Sequence, residues 1–73
     1  MENHEDKRAL MKLGVKLKDA REKLGLTQEE VAKKARVSTN YYAVIERGEG
    51  NPTFVILNRI IKALKKTDIP DLI

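Results

Sequence analysis

The side chains able to do covalent or acid–base chemistry are few and poorly placed for it. Cysteine is absent, and His4 is the sole imidazole. That excludes thiolate nucleophiles, disulfides and metal sites built from cysteine or several histidines. Glu29 and Glu30 are neighbours in sequence, so on a helix they do not face each other as an acid/base pair. Ser38 already has a structural job as a helix cap, and no glycine-rich phosphate loop is present. The expectation is a non-enzyme with no metal and no cofactor. What remains is recognition chemistry. Residues Ser38 to Val44 hold hydroxyls, an amide, aromatic rings and small apolar groups, and no acid. In a chain whose residues are 36% charged, a merely solvated face would be charged by default, so this face looks selected to touch something.

Charge suggests what that something is. Fifteen Lys and Arg stand against eleven Asp and Glu, for a net +4. Three of the acids, Glu2, Glu5 and Asp6, lie in the first six residues, where there is no Lys or Arg, so the remainder is more basic still. A small basic domain points to a polyanion partner, with plainly solvated lysines as the other reading. At 73 residues and 8.3 kDa there is one domain and no interdomain cleft. No apolar run approaches the roughly 20 residues of a membrane helix. No signal-peptide pattern is visible, and the lack of cysteine makes the cytoplasm the expected compartment.

The elements that position these residues read as helices throughout. Prolines occur only at Pro52 and Pro70, and no stretch alternates as a half-buried strand does. A first helix is expected over 9–24, with Leu10, Leu13, Leu17, Ala20 and Leu24 on its inner stripe and Gly25 closing it. Gly14 inside this helix costs about 1 kcal/mol relative to alanine and suggests a close neighbour. Residues 1–8, with no apolar side chain after Met1, read as a frayed lead-in, leaving 9–73 as the domain. Thr27 and Glu30 have the spacing of a capping box for a second helix, with Leu26 and Val31 as a hydrophobic staple. Its apolar face is Val31, Ala32 and Ala35. Ser38 caps a third helix over 39–47, with Tyr42 and Ile45 inward. Thr53 caps a fourth over 54–66, with Phe54, Leu57, Ile60, Ile61 and Leu64 inward. Val55 and Ile56 fall off that stripe, and the tail from Asp68 to Ile73 has room for one more turn.

Two short helices joined by a tight turn make a helix-turn-helix unit, here over 28–46. Five motifs then occur in order. They are Leu24-Gly25-Leu26-Thr27-Gln28-Glu29-Glu30-Val31-Ala32, Val37-Ser38, Ile45-Glu46-Arg47-Gly48, Asn51-Pro52-Thr53 and Ile60-Ile61-Lys62-Ala63-Leu64. Together they resemble the Cro/phage-repressor (Xre-type) DNA-binding domain over residues 13–66. The resemblance implies an all-α, compact, four- to five-helix repressor-like domain that binds double-stranded DNA.

It also implies roles, position by position. Gln28 would hold a phosphate and brace the third helix, in keeping with the free N–H groups of a helix start. Thr39 and Asn40 would read base edges, and Val44 would face the DNA one turn later. Asparagine suits bidentate bonding to adenine, while a threonine methyl or valine packs on a thymine methyl. Tyr41 would reach a phosphate or a base. Ser38, Arg47, Asn51 and Thr53 flank these positions, and backbone N–H groups near Asn51 and Thr53 are donors for phosphate. Arg21 and Glu46 match a pair tying the first helix to the third. Plainer readings stand beside these: an ordinary exposed Gln28, Tyr41 and Tyr42 both in the core, and a surface pair of small worth at Arg21–Glu46.

Two positions depart from the pattern. Relatives usually carry glycine where Arg36 stands, since that turn favours positive φ, which costs a non-glycine residue roughly 1–2 kcal/mol. Arg36 could reach the DNA backbone in compensation. Glu49 brings an acid into a loop where some relatives are basic. The resemblance further implies a homodimer on a palindromic site. Val55, Ile56, Ile69, Leu72 and Ile73 are the candidate dimer surface, unless the tail simply covers the domain's own core. An activity of another class, a protein-interaction module such as an antitoxin or a transcription-machinery adaptor, would use the same apolar residues.

Overall fold

The computed structural model describes residues 4–65. Four helices follow one another: α1 (His4–Lys23), α2 (Gln28–Ala35), α3 (Thr39–Glu46) and α4 (Phe54–Ala63). There is no strand among the described residues. α2 lies against both α3 and α4, and α1 lies against α3.

The first three helices end alike. At the close of α1, Leu26 N–H donates to Arg21 C=O and Gly25 N–H to Glu22 C=O. At the close of α2, Val37 N–H donates to Ala32 C=O and Arg36 N–H to Lys33 C=O. At the close of α3, Glu49 N–H donates to Val44 C=O and Gly48 N–H to Ile45 C=O. This is the paired closure that needs a left-handed residue just past the helix. Gly25 and Gly48 supply it at φ 71° and 77°, and Arg36 supplies it at φ 60°. The turn therefore keeps the geometry expected of its glycine-bearing relatives, and Arg36 carries the strain.

Helices α2, α3 and α4 each begin with a hydroxyl cap. Thr27, Ser38 and Thr53 accept from the backbone N–H of Glu30, Tyr41 and Ile56. Glu30 completes the box by accepting from Thr27 N–H at 2.8 Å. These backbone and side-chain bonds pull the Glu30 carboxyl below its usual range.

The core is Leu17, Val31, Ala32, Ala35, Tyr42, Ile45, Ile60 and Ala63, with Leu13, Leu26, Val37, Tyr41, Ile56, Leu57 and Leu64 packed around it. Alanines at 32, 35 and 63 let α2 and α4 approach closely. At Gly14 an added Cβ would lie 2.3 Å from the Glu46 carbonyl oxygen, so α1 and α3 cross with no room for a side chain.

Three expectations are corrected. α1 starts at His4, so residues 4–8 continue the helix instead of preceding it. Glu5 and Asp6 in its first turn complement the helix dipole, and no Pro or Gly lies between His4 and Leu13. The inner face of α4 is turned by one position. Phe54 and Ile61 are 70% and 40% exposed, while Ile56 packs on the core. The buried residues of α4, which packs on α2, are Ile60 and the small Ala63. Finally, α4 closes at Ala63, not 66, where Leu64 N–H caps Ile60 and Ile61 carbonyls. The expected last turn, and Ile69, Leu72 and Ile73, lie outside the described residues.

Candidate nucleic-acid interface

The candidate interface is built on α3, and α3 is held from behind by one carboxylate. Glu46 is the last residue of α3 and its side chain is 3% exposed. Arg21 of α1 grips it with two nitrogens, Nε to Oε2 at 2.7 Å and Nη2 to Oε1 at 3.2 Å. The third nitrogen of Arg21 donates to the Leu26 carbonyl at 2.9 Å. Gln28 of α2 donates its amide to Glu46 Oε1 at 2.9 Å. Three helices thus meet at one acid.

The electrostatics follow from this tie. Burial by itself would push the Glu46 carboxyl up. The Arg21 guanidinium, the nearby Tyr42 hydroxyl and the Gln28 amide outweigh burial and hold it below its usual range. Glu46 in turn raises Arg21. Tyr42 is fully buried beside this group, and its hydroxyl has no hydrogen bond. Burial first, and then Glu46, hold its proton above the usual phenol range. A charged, hydrogen-bonded Arg–Glu pair at this depth is far from the surface-pair reading. Removing one partner of such a pair leaves a charge without compensation.

The N-terminal end of α3 is open. Ser38, Thr39 and Asn40 are exposed. The Ser38 hydroxyl is spent on the cap. The side chains of Thr39 and Asn40 make no hydrogen bond within the described chain, and the first turn of α3 contains no acid. Tyr41 is half-buried and packs on the core edge, so its ring is shared between core and surface. Val44 is half-buried and sits beside Gly50.

The residues after α3 are less available than their types suggest. Arg47 donates from Nε to Glu49 at 3.1 Å. The acid in the loop therefore occupies the arginine. Thr53 is the α4 cap, so its hydroxyl is committed as well. Asn51 is exposed. Gln28, half-buried, turns its amide N–H toward Glu46, which leaves its carbonyl oxygen on the other side of the amide group.

Two features were missed by sequence reasoning. Phe54, read as core, joins Val55 as an exposed apolar pair at the start of α4, where Val55 is 62% exposed. The missed signal was Ala63, a small residue buried on the inner face of α4. The second is a recess between the end of α2 and α4 lined by Lys34, Arg36, Arg59 and Lys62, discussed below. No group of histidine and acidic residues able to hold a metal occurs among the described residues. None of the described helices is long and apolar enough to cross a membrane.

A tight two-helix unit with an outward second helix, braced at its far end, defines a helix-turn-helix protein. The family model for helix-turn-helix domains matches residues 17–72, and the chain belongs to that family. An uncharacterised HTH-type transcriptional regulator of Methanothermobacter thermautotrophicus is 34% identical over 56 residues, covering 77% of this chain and 81% of its own. The uncharacterised HTH-type transcriptional regulator YqaF of Bacillus subtilis is 43% identical over 44 residues, covering 60% of this chain and 58% of its own. Among solved structures, a point mutant of the restriction–modification controller protein C.Esp1396I matches with a TM-score of 0.77 and 32% identity. That match covers 94% of this chain and 82% of the controller protein.

Proposed function

We propose that this chain is a sequence-specific, double-stranded DNA-binding transcriptional regulator, acting as a repressor or autoregulator. It lays α3 in the major groove and binds a palindromic operator as a homodimer. One observation carries this reading. Thr39 and Asn40 project from an acid-free helix start with no partner in the described chain, while the same helix is fixed at its other end through Glu46. That is the division a base-reading helix needs, with its readers unsatisfied until bound and its backbone set beforehand. Gln28, Arg36 and the backbone near Asn51 serve as phosphate contacts that fix register. Arg47 pairs with Glu49 through Nε and keeps its terminal nitrogens for phosphate.

Selection of bound duplexes from a random pool, followed by sequencing, tests the proposal. An enriched palindrome with half-sites about one DNA turn, ~34–36 Å, apart supports the dimeric reader. Lack of any enriched sequence would overturn it.

Phe54 and Val55 favour a second reading, a module that binds another protein through this apolar pair. Salt separates the two. Binding through phosphates weakens steeply as salt releases counterions, and apolar docking does not. For the homodimer, Phe54→Glu with Val55→Glu is expected to shift sedimentation from dimer to monomer. An unchanged profile removes this surface as the interface.

A further inference from the structure

Beside the candidate DNA face lies a recess of about 400 Å³ lined by Lys34, Arg36, Arg59, Lys62, Ala63 and Lys65. No acidic residue is among those lining it. Most of these cations have an ordinary explanation. Lys34 sits in the last turn of α2 and Lys62 in the last turn of α4, with Lys65 just beyond, where positive charge offsets the helix dipole. Lys62 and Lys65 also have interactions of their own.

Arg59 has no such explanation. It lies in the middle of α4, is half-buried, and its Nε is enclosed without a hydrogen-bond partner. A guanidinium left so is costly, since a buried donor without a partner forfeits its hydration. Arg36 adds a second cost. It holds a left-handed conformation that glycine would take without strain, and so brings a cation to the recess at the expense of the turn. Two expensive arginines and Lys34 converge on one cavity beside the last turns of α2 and α4.

We infer that this recess is a binding site for phosphate groups, taken by the guanidinium groups of Arg59 and Arg36 with Lys34. Planar guanidinium groups suit phosphate oxygens, and tetrahedral anions of this charge balance such a cluster. Phosphate can come from two sources, a small free polyphosphate or the backbone of a duplex running past the domain. The inference rests on the recess alone and stands whether or not α3 reads bases.

The test uses the full chain and inorganic pyrophosphate at constant ionic strength, followed by nitrogen–proton correlation spectra that include the arginine Nε–H signals. The expected result is a saturable shift confined to residues 34, 36 and 59, with affinity about tenfold weaker in Arg59→Gln through loss of charge-assisted bonds. Lys34→Gln, an exposed change that spares the fold, is expected to weaken it as well. In a second arm, a bound duplex is lengthened at both ends. Affinity gained on lengthening, and lost in Lys34→Gln and Arg59→Gln, assigns the site to duplex backbone. Saturation by pyrophosphate without that gain assigns it to a free anion. Shifts spread evenly over every lysine, with no gain from longer DNA, overturn the inference. So does binding in both arms that neither variant weakens.

Discussion

The two ends of α3 are built on opposite principles. At its C-terminal end, Glu46 is buried and accepts hydrogen bonds from Arg21 and Gln28. At its N-terminal end, Thr39 and Asn40 stand in solvent, with only the Ser38 hydroxyl tying the turn to itself. The difference assigns stability and the proposed recognition to opposite ends of a helix of eight residues. Changes at one end are therefore expected to read out in folding, and changes at the other in binding.

The largest effect is expected at the buried acid. Glu46→Ala strands Arg21, whose side chain is 12% exposed, and is expected to cost about 3–5 kcal/mol in urea unfolding. Glu46→Gln sharpens the same point through pH. Because the folded carboxyl sits below its usual range, its contribution is fully present above the ordinary carboxylate value of about 4.3 and is lost as pH falls through the lower folded value. The wild type is thus expected to lose stability as it is acidified through that window, and the glutamine variant to show a flatter acid limb.

Gly14→Ala comes next. The new methyl would meet the Glu46 carbonyl, forcing α1 off α3, for an expected loss of about 1–3 kcal/mol by thermal or urea unfolding. A loss of similar size but another kind is expected from Asn40→Ala. It should weaken binding to a selected duplex by about 1–3 kcal/mol, relax one base position, and leave folding within about 0.5 kcal/mol. An equal loss on all sequences, or a folding defect, would break the division between the two ends. The smallest effect has the opposite sign. Arg36→Gly removes left-handed strain and is expected to gain about 1 kcal/mol in unfolding free energy, while removing one cation from the recess.

Much of this was legible in the sequence because it is local. The Thr27–Glu30 box, the Ser38 and Thr53 caps and the closing glycines depend on spacings of a few residues, and each is where its pattern placed it. Gly14 signalled a close neighbour, and the neighbour is the end of α3. What local pattern could not supply was the angle at which helices meet. Phe54 and Ile56 exchange roles because α4 turns Ile60 and Ala63 into the core, a fact of packing between elements far apart in sequence. The same holds for the recess, whose lysines and arginines read as scattered surface charge until α2 and α4 are set side by side. In the candidate interface, residue types pointed to Arg47, but its pairing with Glu49 is visible only in the folded chain.

The three-helix tie at Glu46 has a calorimetric consequence. With α1, α2 and α3 joined through one carboxylate, the ordering of α3, the proposed reading helix, belongs to folding and not to association. The heat-capacity change on binding DNA is then expected to match the apolar surface covered at the contact, without the excess that accompanies coupled folding.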